Sequence, residues 1–96
     1  MKTKTTPQKD ILRALEQRLP TFSKGQRVLA RFVLENYDKA AFMTASRLGA
    51  AVGVSESTVV RFAAELGFRG YPGMKKALQE VVRSRLTAVE RLEVAE

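Results

Sequence analysis

The chain has 96 residues, 45% of them hydrophobic and 28% charged, with 17 lysines and arginines against 10 aspartates and glutamates. This length suits one small domain, and no run of about 20 apolar residues is present to span a membrane. Cysteine and histidine are absent, which excludes a disulfide framework, a thiolate metal site and the commonest general base of enzymes.

Two helices are predicted in the first third of the chain. Residues 1–6 form a basic tail that we expect to be disordered, and the first helix runs from Pro7 to a stop at Pro20. Ser23 and Gln26 form a capping-box pattern, which predicts the start of the second helix. The buried stripes of these two helices are predicted at Ile11, Leu12, Leu15, Leu19, Val28, Leu29, Phe32 and Val33.

A short helical turn and a third helix follow. Residues 38–42 are predicted to form the turn, with Asp38 as its cap. Thr44 suits the N-cap position of the third helix, which extends to about Val52.

Residues 45–62 carry the most informative pattern of the chain. They predict a short helix, a sharp turn at Gly53 and a second helix capped by Ser55, and Gly49 is small enough to let the two helices approach closely. This is the pattern of a helix-turn-helix, in which the second helix presents its first turns to the DNA major groove. The apolar residues expected to face one another across the pair are Leu48, Val52, Val54, Val59 and Phe62.

One further helix is predicted after the pair. Gly67 ends the fourth helix, because the position after a helix often needs a positive φ, and Pro72 begins the last helix. No segment has strand periodicity, so the expected fold is all-α with five to six helices. We expect a domain over residues 7–86 and, over 87–96, the end of the last helix or the start of a linker. The predicted inner faces of the last two helices are Val59, Phe62, Ala63, Leu66, Met74, Ala77, Leu78, Val81, Val82 and Val89.

Candidate DNA contacts lie on and around the second helix of the pair. Hydroxyls in its first turns can donate to phosphates or bases, and Arg61 can contact a phosphate or pair with guanine. The net charge is +7, and residues 44–76 contain five basic residues against two acidic ones, which favours a polyanionic partner. The predicted DNA-binding residues are Thr44, Ser46, Arg47, Ser55, Ser57, Thr58, Arg61, Arg69, Tyr71, Lys75 and Lys76.

Several of these residues also have a purely structural interpretation. Ser55 can act only as a cap that Thr58 closes, Tyr71 can pack its ring on the core, and Arg61 can be a solvated surface residue. Glu56 would be repelled by phosphates but can accept a hydrogen bond from a cytosine amino group, and we favour its interaction with the helix N-terminus. The positive charge can also serve solubility alone.

The sequence favours a binding module over an enzyme. No carboxylate cluster has metal-ligand spacing, and the glycine-rich residues 67–73 lack the preceding strand of a phosphate loop, so no metal, cofactor or catalytic residue is predicted. The alternative function is a helical dimerisation or protein-interaction module without DNA binding. It rests on the apolar residues of the last helix, which the other helices could leave uncovered.

The run ValGlyValSerGluSerThrValValArgPhe, followed by GluLeuGlyPheArgGlyTyrProGlyMetLysLys, resembles the N-terminal domain of RpiR-type transcriptional regulators. The resemblance covers roughly residues 12–86, and the Leu-Gly-Phe-x-Gly-aromatic segment is its specific part. Two residues depart from the family pattern. Gly49 stands where alanine is more usual, and Glu56 matches no known base contact.

The resemblance implies a bacterial, cytoplasmic, homo-oligomeric regulator, most often a repressor of sugar catabolism genes, and we expect it to bind double-stranded DNA as a homodimer. It also implies a second domain with a sugar isomerase fold, which binds a phosphorylated sugar as effector. None of the 96 residues supplies that domain, so we expect either part of a longer protein or an unusually short member. Effector binding is therefore assigned to no residue here, and no membrane partner is expected.

Overall fold

The computed structural model describes the backbone of residues 7–95 and the side chains of residues 11–85. Within the described backbone there are six α-helices and no strand, which confirms the predicted all-α class. The predicted tail, residues 1–6, lies outside the described residues. The helices are α1 (Pro7–Arg18), α2 (Lys24–Glu35), α3 (Tyr37–Ala40), α4 (Ala45–Val52), α5 (Glu56–Glu65) and α6 (Tyr71–Ala95).

The first helix stops where proline was predicted to stop it. After Arg18 the chain tightens into a 3-10 turn over Leu19–Thr21 that contains Pro20, since proline cannot donate to the α-helical hydrogen-bond ladder. Ile11 and Leu15 are buried in the core as predicted.

The capping box at the start of α2 is confirmed. Ser23 Oγ accepts from the Gln26 backbone N–H at 3.3 Å, and Gln26 Oε1 accepts from the Ser23 N–H at 3.1 Å. The prediction that Val28 is buried is wrong, because its side chain is 43% exposed. The inner stripe of α2 runs through the small Ala30 instead, on the other side of Leu29. The buried residues of α2 are Leu29, Ala30 and Val33, and Phe32 is half-buried.

The short helix α3 begins one residue earlier than predicted, and Asp38 does not cap it. Its N-cap is Asn36, which makes no side-chain cap hydrogen bond. Asn36 Nδ2 and its backbone N–H both donate to the Phe32 carbonyl, at 3.2 and 2.8 Å. One residue therefore ends α2 and begins α3, so no loop is left in which Asp38 could act as a cap.

The end of α5 has the left-handed residue expected at Gly67, whose φ is 100°. Its N–H donates to the Ala64 carbonyl at 3.0 Å, and the Phe68 N–H donates to the Ala63 carbonyl at 3.1 Å. These are the two hydrogen bonds of a glycine-terminated helix end. They turn the chain sharply toward α6.

The longest helix, α6, has 25 residues and is therefore about 37 Å long. It packs against α1, α3 and α5. Among the described helices, none combines the length and hydropathy that a bilayer crossing requires. The buried residues of α6 are Tyr71, Met74, Ala77, Leu78 and Val81, and Val82 is half-buried.

This packing bears on the alternative function. The apolar face of α6 from Met74 to Val82 packs against the domain's own helices, so the uncovered stripe on which a docking function rested is not found there. The side chain of Val89, the remaining predicted member, lies outside the described residues.

Candidate nucleic-acid interface

The helices α4 and α5 form the predicted helix-turn-helix. Gly53, between them, has φ 83° and ψ 28°, a left-handed conformation that strains residues with a Cβ. The N–H groups of Gly53 and Val54 both donate to the Gly49 carbonyl, at 2.8 and 2.9 Å. The chain therefore reverses within residues 53–55.

Gly49 provides the close approach that its small size predicts. A Cβ built on this residue would lie 2.6 Å from the Val54 carbonyl oxygen and 3.2 Å from that of Ser55. The backbone of the turn is thus in direct contact with α4. This explains why glycine, rather than the alanine more usual in the resembling family, suits this backbone.

Both helices of the pair begin at the predicted caps. Thr44 Oγ1 accepts from the Arg47 N–H, and Ser55 Oγ accepts from the Thr58 N–H, each at 3.1 Å. Ser55 Oγ is also within hydrogen-bond distance of Ser57 Oγ and Thr58 Oγ1, at 3.1 and 2.9 Å. Ser55 therefore has the capping role, and three hydroxyls cluster at the N-terminus of α5.

The side of α5 away from the core is exposed to solvent. Val59, Phe62 and Ala63 are buried, and this helical phase turns Arg61 outward. Among residues 11–85, the Arg61 guanidinium has no hydrogen-bond or ion-pair partner, so it is available to a ligand. We call this side the outer face of α5; it is a shallow depression lined by Glu56, Ser57, Val60, Arg61 and Ala64.

The C-terminal end of α5 is held by the first third of the chain. Arg18 Nη1 donates to the Glu65 carbonyl at 2.8 Å, and Gln26 Nε2 donates to Glu65 Oε1 at 2.9 Å. A cation at the last carbonyls of a helix complements its dipole. These contacts fix the orientation of α5 and draw the Glu65 carboxylate toward the start of α2.

The predicted DNA-binding residues differ in their exposure and in the surface on which they lie. Lys76 lines a different surface, a groove formed by α1, α2, α3 and α6 that it shares with Leu12, Leu34 and Tyr37. The exposed residues are Thr44, Ser46, Arg47, Ser55, Ser57, Arg61, Arg69 and Lys76, whereas Thr58 and Lys75 are half-buried.

Tyr71 lies in the core, which is the structural interpretation that the sequence left open. Only 7% of the residue is exposed, and its hydroxyl donates to the Met43 carbonyl at 2.6 Å. Gln79 Nε2 donates to the Ala41 carbonyl at 2.9 Å. Two residues of α6 thus hold the segment that leads into α4, and we leave Tyr71 out of the interface.

Replacing Tyr71 with phenylalanine is expected to destabilise the domain by about 1–3 kcal/mol near neutral pH, because the Met43 carbonyl loses its donor. Burial raises the pKa of Tyr71 from 10.0 to about 12. The folded state then holds the proton of the Tyr71 hydroxyl more tightly than the unfolded state does. The stability that this hydroxyl contributes is therefore complete below pH 10 and is lost as the pH rises to 12. Urea denaturation of both proteins from pH 7 to 11.5 should therefore show their stability difference shrinking above pH 10. A difference that is constant with pH would contradict this account.

Sequence reasoning missed Val60, which is 42% exposed on the outer face of α5. The exposure of Val60 could have been predicted from the helical periodicity of α5. Val59, Phe62 and Ala63 define the inner face, and Val60 is rotated by about 100° from Val59, away from Phe62. The sequence prediction placed Val59 on the inner face and gave Val60 no role.

Comparison with known proteins agrees with this architecture. The model of the rpiR-family helix-turn-helix domain matches residues 9–85. The HTH-type transcriptional regulator YfhH of Escherichia coli is 35% identical over 71 residues, which cover 74% of this chain and 25% of the relative. HexR, an HTH-type transcriptional regulator of Pseudomonas aeruginosa, is 34% identical over 76 residues, covering 79% of this chain and 27% of the relative.

A solved structure matches as well. The Vibrio vulnificus NanR protein, complexed with ManNAc-6P, superposes with a TM-score of 0.74 and 32% sequence identity, over 85% of this chain and 31% of NanR. The chain spans about a quarter of the length of the curated relatives it matches. By the match over residues 9–85, the chain belongs to the rpiR family of helix-turn-helix domains, and its relatives are transcriptional regulators.

Proposed function

We propose that this chain is the DNA-binding domain of a bacterial transcriptional regulator and that α5 enters the major groove of duplex DNA. The outer face of α5 carries the proposal. Arg61 is exposed there without a partner among the described side chains, on a helix whose opposite side is buried. The excess of basic over acidic residues between positions 44 and 76 supports a polyanionic partner.

In this proposal the residues around α5 divide into two roles. Arg61 and Ser57 contact base edges, where arginine pairs best with guanine. The N-terminus of α4 and the basic residues beyond α5 contact phosphates and set the position of the domain on the duplex. The phosphate-contacting residues are Thr44, Ser46, Arg47, Arg69 and Lys75, and Lys76 adds only to the general positive field.

We further propose that the protein acts in the bacterial cytoplasm as a homodimer on paired half-sites and represses genes of sugar metabolism. The NanR structure, a complex with ManNAc-6P, supports a phosphorylated sugar as effector. The matched relatives are several times longer than this chain. We therefore assign effector binding to no residue among these 96.

The proposal is tested with duplexes that the full chain selects from a random pool, followed by fluorescence anisotropy at several salt concentrations. The logarithm of the affinity should fall with the logarithm of the salt concentration by about 0.9 per phosphate contacted. Arg61→Ala is expected to weaken binding by about 1–3 kcal/mol on the selected duplex. A flat salt dependence would contradict DNA binding by this domain.

Arg31→Ala is the matched control. Arg31 is exposed on α2 and does not line the outer face of α5, so this variant removes the same charge from a different helix. It should reduce affinity much less than Arg61→Ala does. Equal losses in the two variants would show that net charge, and not the outer face of α5, determines binding.

A further inference from the structure

One large apolar side chain on the outer face of α5 is exposed to solvent. Val60 is 42% exposed, while the apolar residues beside it in sequence, Val59 and Phe62, are fully buried. The exposed large hydrophobic residues among the described side chains are Val28, Phe42 and Val60. Of these, only Val60 lies on α5.

The outer face of α5 is built of two rows with the four-residue spacing of a helix surface. One row is polar and contains Ser57 and Arg61. The other runs from Glu56 through Val60 to Ala64, and its last two residues are apolar. Both rows line the same shallow depression, so a ligand that fills this depression is within reach of both Arg61 and Val60.

The major groove offers one apolar group to such a row. Donors and acceptors occupy most of the base edges, and the C5-methyl group of thymine is the exception. A valine suits this group, because its branched Cβ restricts the side chain to few rotamers and holds two methyl groups in place. The surrounding positive charge also favours DNA over an apolar protein surface as the occupant of this face.

We propose that Val60 is a specificity-determining residue that reads a thymine methyl group in each half-site, next to the base contacted by Arg61. This inference rests on the proposed function, since it requires α5 to lie in the major groove. It predicts that the preferred duplex contains a thymine at a fixed distance from the contact of Arg61.

The experiment uses the duplex that the full chain selects from a random pool. Each thymine in it is replaced, one at a time, by deoxyuridine, which keeps the pairing with adenine and removes only the methyl group. Replacement at one thymine position of each half-site should weaken binding of the wild-type chain about fourfold relative to the original duplex. This is the factor that burial of one methyl group provides.

Val60→Ala should bind the thymine and deoxyuridine duplexes equally well. Val28→Ala is the control, because Val28 is 43% exposed and lies on α2. This variant should distinguish the thymine duplex from the deoxyuridine duplex as well as the wild-type chain does. Thermal unfolding followed by circular dichroism checks that both variants are folded.

The outcomes separate this inference from the proposed function. If the chain selects and binds a duplex but no deoxyuridine replacement weakens binding, the inference is overturned and DNA binding stands. Discrimination between thymine and deoxyuridine that persists in Val60→Ala also overturns it, because another residue then reads the methyl group. If the chain enriches no duplex and binds none, the proposed function itself fails.

Discussion

Replacing Phe62 with alanine is expected to destabilise the domain by about 3–5 kcal/mol, the largest effect of any single substitution considered. Phe62 is fully buried, and its ring lies against that of Phe22 with the centroids 5.3 Å apart. The substitution leaves a cavity between α5 and the turn before α2. Because small domains have only about 5–15 kcal/mol of stability, the variant should be near its unfolding midpoint in mild urea.

Urea denaturation followed by circular dichroism measures this effect, with Phe42→Ala as its control. Phe42 is 65% exposed, so removal of the same atoms there should change the free energy of unfolding by no more than about 0.5 kcal/mol. Similar losses in the two variants would mean that Phe62 is not the centre of the core around α5. DNA affinity should fall in Phe62→Ala in proportion to the unfolded fraction.

Gly49→Ala is expected to destabilise the domain by up to about 2 kcal/mol, the net of two opposing effects. Alanine has the better helix propensity, by about 1 kcal/mol. The added Cβ, however, would lie 2.6 Å from the Val54 carbonyl oxygen, and backbone cannot move aside as a flexible side chain can. Overpacking of this kind costs about 1–3 kcal/mol. We expect the clash to dominate and to spread α4 from α5, which also lowers DNA affinity.

The matched control for this variant is Gly25→Ala. Gly25 is also helical, but a Cβ there would meet only the Val54 Cγ1 methyl at an ordinary 3.5 Å. The higher helix propensity of alanine should then be unopposed, so Gly25→Ala should be at least as stable as the wild-type protein. If Gly49→Ala is likewise neutral, the turn is able to move away from α4.

The ends of the helices could be predicted from the sequence because their signals are local. A capping hydroxyl, a capping box and a left-handed glycine each act within four residues, so Thr44, Ser55 and Gly67 were found where they were expected. The family could also be recognised from the sequence, because the Leu-Gly-Phe-x-Gly-aromatic segment after α5 is specific to it.

The roles that depend on distant neighbours were harder to predict. Whether Tyr71 donates to a phosphate or to the Met43 carbonyl depends on how α6 meets the start of α4. Val28 and Lys76 similarly depend on which helix lies opposite them. The wrong cap at Asp38 has another cause, because Asn36 serves two helices at once and the sequence pattern assigns a cap to only one.

The unbroken course of α6 has a mechanical consequence. After Gly73 this helix contains neither glycine nor proline up to Ala95, so it has none of the usual points of bending. Its first turns hold the segment before α4 through Tyr71 and Gln79 and pack on α5. A rotation imposed on the distal turns of α6 would therefore be transmitted along the helix and would tilt α4 and α5 together.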